Sequence, residues 1–376
     1  MKVKTLFLIC FLSITCLLNA ADKPVIQIHT DNSSLIFRVA DNGRLYQSYL
    51  GKKLNHETDI SHLPQGTEAY ITHGMEDYFE PAIHILHNDG NPSLLLKYVS
   101  HETKAVSQGV NETIITLGDD KYPVTVKLHY VTYPAEDIIK TYTEISHKEK
   151  KPVVLHQYAS SMLHLNRAKY YLTEFSGDWA HEANVTEREL AFGKKVIDTK
   201  LGARANMFVS PFFQLALDNS SQENAGEVLV GTIGWTGNFR FTFEVDNKNE
   251  LRIISGINPY DSEYSLPAKE VFRTPDFYFT YSTQGKGEAS RSFHDWARNH
   301  QVKNGNDTRM TLLNNWESTY FDFDENKLIG LMDEATKLGV DMFLLDDGWF
   351  GNKHPRNSDN AGLGDWEVMR SKLPGG

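Results

Sequence analysis

Asp346 and Asp347 stand side by side, followed by Gly348 and Trp349. Earlier in the chain Asn314-Asn315-Trp316-Glu317 forms a second burst of polar and aromatic residues. Each burst ends a short apolar segment, residues 310–313 and 340–345. In parallel β/α architectures ligands and catalytic groups gather at the C-terminal ends of strands. An ionised carboxylate offers only acceptors, and two of them beside tryptophans suit a neutral, polyhydroxylated ligand, of which a sugar is the natural example. Two other readings fit the same residues. Asp346-Asp347-Gly348 suits a strand-ending turn, since Asp and Gly are turn formers. A metal site would need His354 or Asp359 as further ligands, and no metal-ligand spacing supports it. Trp316 covers an apolar sugar face or simply packs at the strand end, and for Trp179, in an earlier loop, the two readings are nearly balanced. Trp349 and Asp365-Trp366 read as shaping the loops above the strands.

The elements that must position these residues follow from the pattern around them. Asp324 is an N-cap for a helix over 325–338, with Leu328, Met332, Ala335 and Leu338 as an inward stripe and Gly339 as its C′ residue. The apolar character of 340–345, interrupted only by Asp341, predicts a buried parallel strand. Before this β/α stretch, residues 25–281 read as β structure. Val124, Val126, Leu128 and Tyr130 alternate with polar residues, and Ile139, Thr141, Thr143 and Ile145 repeat that period beyond a turn at Pro134-Ala135-Glu136-Asp137. Further strands are expected at 35–39, 94–99, 112–117, 153–156, 228–233, 239–245, 251–254 and 277–281, separated by turn clusters such as Asp41-Asn42-Gly43. So many strands imply a large antiparallel sandwich. A helix over 290–300 presents Phe293, Trp296, Ala297 and His300 on one face. Lys303-Asn304-Gly305-Asn306-Asp307 is the expected boundary loop.

The N-terminus reads as an export signal over residues 1–21: Lys2 and Lys4, an apolar run over 6–18, then Ala20-Ala21. The run is short for a membrane span and is soon followed by Asp22 and Lys23; an uncleaved anchor is the alternative. Thr15 before Cys16 does not suit a lipoprotein signal. A secreted or periplasmic location is expected, with no membrane span after cleavage. Both cysteines, Cys10 and Cys16, fall in this signal, so the mature chain has no disulfide or thiolate metal site. A mature chain of about 355 residues is long enough for two domains with sizeable cores. A net charge of −11 argues against a nucleic-acid partner.

The C-terminal motifs carry a family resemblance. Asn314-Asn315-Trp316-Glu317-Ser318-Thr319-Tyr320-Phe321-Asp322-Phe323, Leu345-Asp346-Asp347-Gly348-Trp349-Phe350-Gly351 and Leu363-Gly364-Asp365-Trp366 are similar to the α-galactosidases of glycoside hydrolase family 36. Ser176-Gly177-Asp178-Trp179-Ala180-His181-Glu182, Pro211-Phe212-Phe213, Ser255-Gly256-Ile257-Asn258-Pro259 and Phe293-His294-Asp295 agree with it. The resemblance implies a β-supersandwich (22–285), a linker helix and loop (286–308), and the first strands of a (β/α)8 TIM barrel (309–376). It implies retaining hydrolysis of terminal α-galactosyl groups from melibiose- and raffinose-type sugars, without a cofactor or metal. On this resemblance Asp346 and Asp347 accept hydrogen bonds from galactose hydroxyls, Trp316 covers a sugar face, and Trp179 reaches toward substrate. The chain departs from the family pattern at His181, where many relatives carry Arg, at Met75-Glu76-Asp77-Tyr78-Phe79-Glu80-Pro81-Ala82, and in a short 51–63 loop. These departures bear on outer subsites and on assembly as a homo-oligomer.

In this family the nucleophile, within a Lys-x-Asp motif, and the acid/base are aspartates on later barrel strands. Only 66 residues follow Met310, whereas a closed barrel takes about 250. No catalytic residue is therefore assigned, and this polypeptide alone is expected to be inactive. A non-catalytic carbohydrate-binding remnant is the reading of a different class. An α-N-acetylgalactosaminidase or a galactosyl transferase is the nearest enzyme alternative.

Overall fold

The computed structural model describes residues 23–75, 78–204 and 207–376. The expected export signal lies outside these residues. The chain divides into two compact units, Met1–Gln301 and Val302–Gly376. Among the described residues no helix is long and apolar enough to cross a membrane.

In the described part of the first unit every strand pairing is antiparallel. A four-stranded sheet joins Val25–His29, Ser33–Val39, Leu45–Lys52 and Thr67–Glu68 in sequence order. A six-stranded sheet is centred on the long strand Val153–Asn166, which pairs with Glu250–Ile257, Tyr264–Leu266 and Ile83–Leu86; Phe239–Val245 and Gly193–Asp198 extend it. A ten-stranded sheet runs from Asn184–Glu189 through Tyr170–Ser176, Val209–Leu217, Glu227–Gly234, Asp276–Ser282, Ile138–His147, Val124–Tyr133 and Val110–Asp119 to Leu96–Ser107. Val271–Arg273 also pairs with Ile138–His147.

Side-chain alternation drives this layering. Along Ile138–His147 every second residue from Ile139 is buried, and the strand lies in register with Val124–Tyr133 over its whole length. The six- and ten-stranded sheets meet face to face through aromatic rings. Phe213 of the larger sheet lies 5.2 Å from Phe241 and 4.9 Å from Phe243 of the smaller, both edge-on. Gly231 makes room for this contact: a Cβ there would come within 2.6 Å of Phe213 and 2.7 Å of Phe277.

The helix begins earlier than its apolar stripe suggests. It spans Gly285–Trp296 and continues with π-type geometry over Ala297–Gln301, within the first unit. Trp296 packs on Tyr278 at 4.6 Å and Tyr133 at 5.9 Å, and Phe293 on Phe212 at 6.1 Å. Its glycine-rich start reflects close approach: a Cβ on Gly285 or Gly287 would lie within 3 Å of the backbone at Gln222 to Ala225 or Glu223.

Two histidines of the first unit give it an acid-sensitive stability. Burial, with the neighbouring His73 and His156, pushes His84 down to about 4 from an ordinary 6.5; burial, with Arg252, pushes His164 down to about 3. Both bind a proton more readily unfolded than folded. The stability from keeping them neutral is complete above pH 6.5 and lost as the pH falls toward 4 and then 3. The melting temperature is expected to fall across that window, with a shallower fall for His164→Gln measured by circular dichroism. An unchanged slope in that variant would contradict the assignment.

Candidate functional site

In the second unit Leu312–Asn314 pairs in parallel with Met342–Leu344, Asn314 opposite Leu344. The helix Glu325–Lys337 connects them. It starts where the Asp324 side chain accepts the Lys327 amide at 2.9 Å, and ends before Gly339, whose φ of +77° suits the C′ position. The strand pair is thus the expected β/α/β unit, with one difference from the expected burial. Leu328 and Ala335 are buried, but Met332 is 39% and Leu338 82% exposed, and Met342 and Leu344 are exposed as well. Only one edge of the helix stripe is covered within this unit.

Two asparagines stitch the strand ends together. Asn314 donates through Nδ2 to Asp346 Oδ2 at 2.5 Å and accepts the Trp316 amide at 2.8 Å. Asn315, fully buried, accepts the Asp346 amide at 2.7 Å and donates to Thr319 Oγ1 at 2.9 Å. Asp346 Oδ1 accepts the Asp347 amide and Asp347 Oδ1 the Gly348 amide, each at 2.7 Å. Gly348, with φ +90°, lets the chain turn beneath Phe321 and Phe323; a Cβ would sit 3.0 Å from the former and 3.2 Å from the latter. Trp316 packs edge-on against Tyr320 and Phe321 while part of its ring remains exposed.

Arg356 completes this arrangement. Its Nε donates to Asp347 Oδ1 at 2.9 Å and one terminal nitrogen to Oδ2 at 2.6 Å, a bidentate pair. The other terminal nitrogen donates to the carbonyls of Ser358, Asp359 and Ala361 at 2.6–2.8 Å. One side chain therefore fixes both the carboxylate and the loop beyond it. The hydrogen bonds from Arg356, opposed by burial, hold the Asp347 carboxyl below the usual carboxylate range. Asp347 is a standing acceptor rather than a proton donor, and a guanidinium already occupies the cation position beside it. Among the described residues no group of three His, Cys, Asp or Glu side chains is arranged to hold a metal ion.

Asp365 organises the same loop by accepting the Lys353 and His354 amides, both at 2.8 Å. Lys372 donates to the Phe321 carbonyl at 2.7 Å and lies over Phe323. The structure therefore brings together Asp346, Asp347 and Trp316. It adds Asn314, Asn315 and Arg356, which sequence reasoning did not assign to the site. The available signal for Arg356 was a single arginine in the 352–365 loop, which is rich in Asn, Gly, Pro and Asp. Trp179 belongs to the first unit. It is 81% exposed, on a loop closed by hydrogen bonds between Asp178 and His181 and made possible by Gly177, where a Cβ would lie 2.3 Å from the His181 carbonyl.

Replacing Arg356 by alanine is expected to free the loop and let the Asp347 pKa rise. Amide exchange over 353–365 should accelerate by about tenfold or more, the loss of several charge-assisted hydrogen bonds. Lysine should not rescue it, because an ammonium cannot reproduce the fork. Exchange unchanged in Arg356→Ala would contradict this role.

Comparison with known proteins identifies the class. Residues 43–267 match the model of the glycosyl hydrolase family 36 N-terminal domain and residues 271–376 match that of Melibiase, and the chain belongs to glycosyl hydrolase family 36. Its relatives are α-galactosidases. Alpha-galactosidase 2 of Hypocrea jecorina is 33% identical over 318 residues, covering 81% of this chain and 42% of the relative. Alpha-galactosidase Mel36A of Lactobacillus acidophilus is 28% identical, covering 94% and 52%. The crystal structure of a variant of AgaA from Geobacillus stearothermophilus in complex with raffinose superposes with a TM-score of 0.86 at 28% identity, covering 94% of this chain and 54% of that one. The chain spans about half the length of the curated relatives it matches.

Proposed function

We propose that the protein is a retaining α-galactosidase, in which this chain supplies the β-supersandwich and the first strands of a (β/α)8 barrel. Asp346, Asp347 and Trp316 form part of the pocket for the terminal galactosyl group; Trp179, exposed on its own loop, is a further substrate-contacting residue on the family resemblance. The observation that carries this reading is the pair of carboxylates fixed beyond the end of Met342–Leu344, Asp346 by Asn314 of the adjacent parallel strand and Asp347 by Arg356, with Asn315 holding the Asp346 amide. A carboxylate held in place and kept ionised accepts hydroxyl donors without reorganising, which favours one arrangement of hydroxyls over its epimers. The raffinose held by the Geobacillus relative supports the substrate class. The apolar run over 6–18 supports export to a secreted or periplasmic location.

Retaining hydrolysis needs two carboxyl groups about 5–5.5 Å apart, one attacking the anomeric carbon and one entering as a protonated acid. Asp347 does not fill the acid role, since Arg356 holds it ionised. The acid role therefore rests on a carboxyl other than Asp347. Residues 1–376 produced alone are expected to show no hydrolysis of an aryl α-galactoside above the buffer rate. Turnover that disappears in Asp347→Ala would overturn this division of roles.

A further inference from the structure

The first unit carries a polar groove of about 620 Å³ between the strand Leu45–Lys52, the Pro64 to Thr67 segment and the end of the strand Val153–Asn166. Its volume falls within the roughly 300–1,000 Å³ typical of small-molecule sites. We propose that this groove binds a neutral oligosaccharide, separately from the Asp346–Asp347 pocket and without turning it over.

Three features support that ligand. The floor is an aromatic platform, because the Tyr49 ring is bedded on Gly51. A Cβ at Gly51 would lie 2.7 Å from the Tyr49 hydroxyl and 2.9 Å from its ring, so only glycine lets the ring lie down. Tyr49 remains partly exposed in the groove lining, which suits the apolar face of a pyranose.

The polar wall is fixed in advance. Arg167 donates to the hydroxyl of Tyr281 at 2.8 Å and pairs with Glu227 at 2.7 Å, and Tyr281 is itself buried. Both members of the ion pair stay about a third exposed, so their remaining donors and acceptors are available. Glu250 and Thr67 meet at 3.4 Å on the other side, and Asn166 stands opposite Glu250 in the strand register.

The charges also select against anionic ligands. Arg167 is matched by Glu227, so an anion gains no unpaired cation, and the groove mixes donors and acceptors as vicinal hydroxyls require. Groups already ordered by their neighbours lose little freedom when a ligand arrives.

The test uses the chain with Asp346→Ala and Asp347→Ala in place, which separates this site from the proposed galactose pocket. Raffinose, maltotriose and cellotriose are titrated in turn by saturation-transfer NMR and calorimetry. At least one should bind, and adding Tyr49→Ala should weaken it about tenfold or more, the loss of one stacking face. Glu250→Gln serves as a second variant, expected to weaken binding without removing the platform; circular dichroism melting checks that both variants are folded. No binding of any of the three sugars, or binding indifferent to both Tyr49→Ala and Glu250→Gln in folded protein, would overturn the proposal. Failure here leaves the galactose pocket untouched, and loss of galactose binding there leaves this groove untouched.

Discussion

Replacing Phe213 by alanine is expected to destabilise the first unit by about 3–5 kcal/mol, the range for deleting a fully buried aromatic ring. Phe213 is 0% exposed and joins two sheets: it touches Phe241 and Phe243 across the interface and stacks near Phe277 within its own sheet. Gly231 leaves no side chain able to fill the hole, and the surrounding strands are held in register on both sides, so the site collapses poorly. Phe192, 77% exposed, is the control: its alanine variant should stay within about 0.5 kcal/mol of the parent. Equilibrium urea unfolding followed by circular dichroism reads both. Equal midpoints for Phe213→Ala and the parent would mean that the two sheets do not share a core.

The second large effect is expected at the carboxylate pair. Hydrogen bonds to charged groups contribute about 1.5–3 kcal/mol each, so losing a carboxylate that accepts even one hydroxyl should weaken galactose about tenfold or more. Asp347→Ala carries a further consequence, because it leaves Arg356 without its bidentate partner beside three carbonyls. Asp346→Ala leaves Asn314 Nδ2 unpaired but spares the loop. The two variants should therefore differ in structure while agreeing in ligand loss: loop 353–365 loosens in the first and not in the second.

Much of the sandwich was legible because one-sided burial writes a period of two into the sequence. Strands Val124–Tyr133 and Ile138–His147 carry it openly, and the turn between them holds Asp137 in the left-handed region, as an Asp allows. Asn184–Glu189 carried no such signal. It is an edge strand whose two faces are both largely exposed, so nothing selects apolar alternation there. Tyr170–Ser176, Gly193–Asp198 and Val209–Leu217 were also missed; apart from the buried Thr173, their polar residues lie on partly exposed faces and interrupt the alternation. The helix start was hidden by Gly285 and Gly287, which sequence rules read as loop but which here answer to backbone packed within 3 Å.

At the site, Asp346, Asp347 and Trp316 stood out because their types and strand-end positions are unusual together. The residues that hold them were harder to see. Asn315 looks like an ordinary polar residue, and its role appears only when Thr319 and the Asp346 amide are found on either side of its buried amide. Arg356 lies nine residues beyond Asp347 in an irregular loop, where no periodicity links the two.

The most direct measurement is a galactose titration of the 1–376 chain, followed by NMR through the amides of Asp346, Asp347 and Gly348, beside Asp346→Ala and Asp347→Ala. Saturable shifts are expected at these amides in the parent, with glucose much weaker, and no saturable shift at the same backbone positions in either variant. A parent whose strand-end amides ignore galactose, or variants that bind it as tightly as the parent, would contradict the assignment of this pair to the galactosyl pocket.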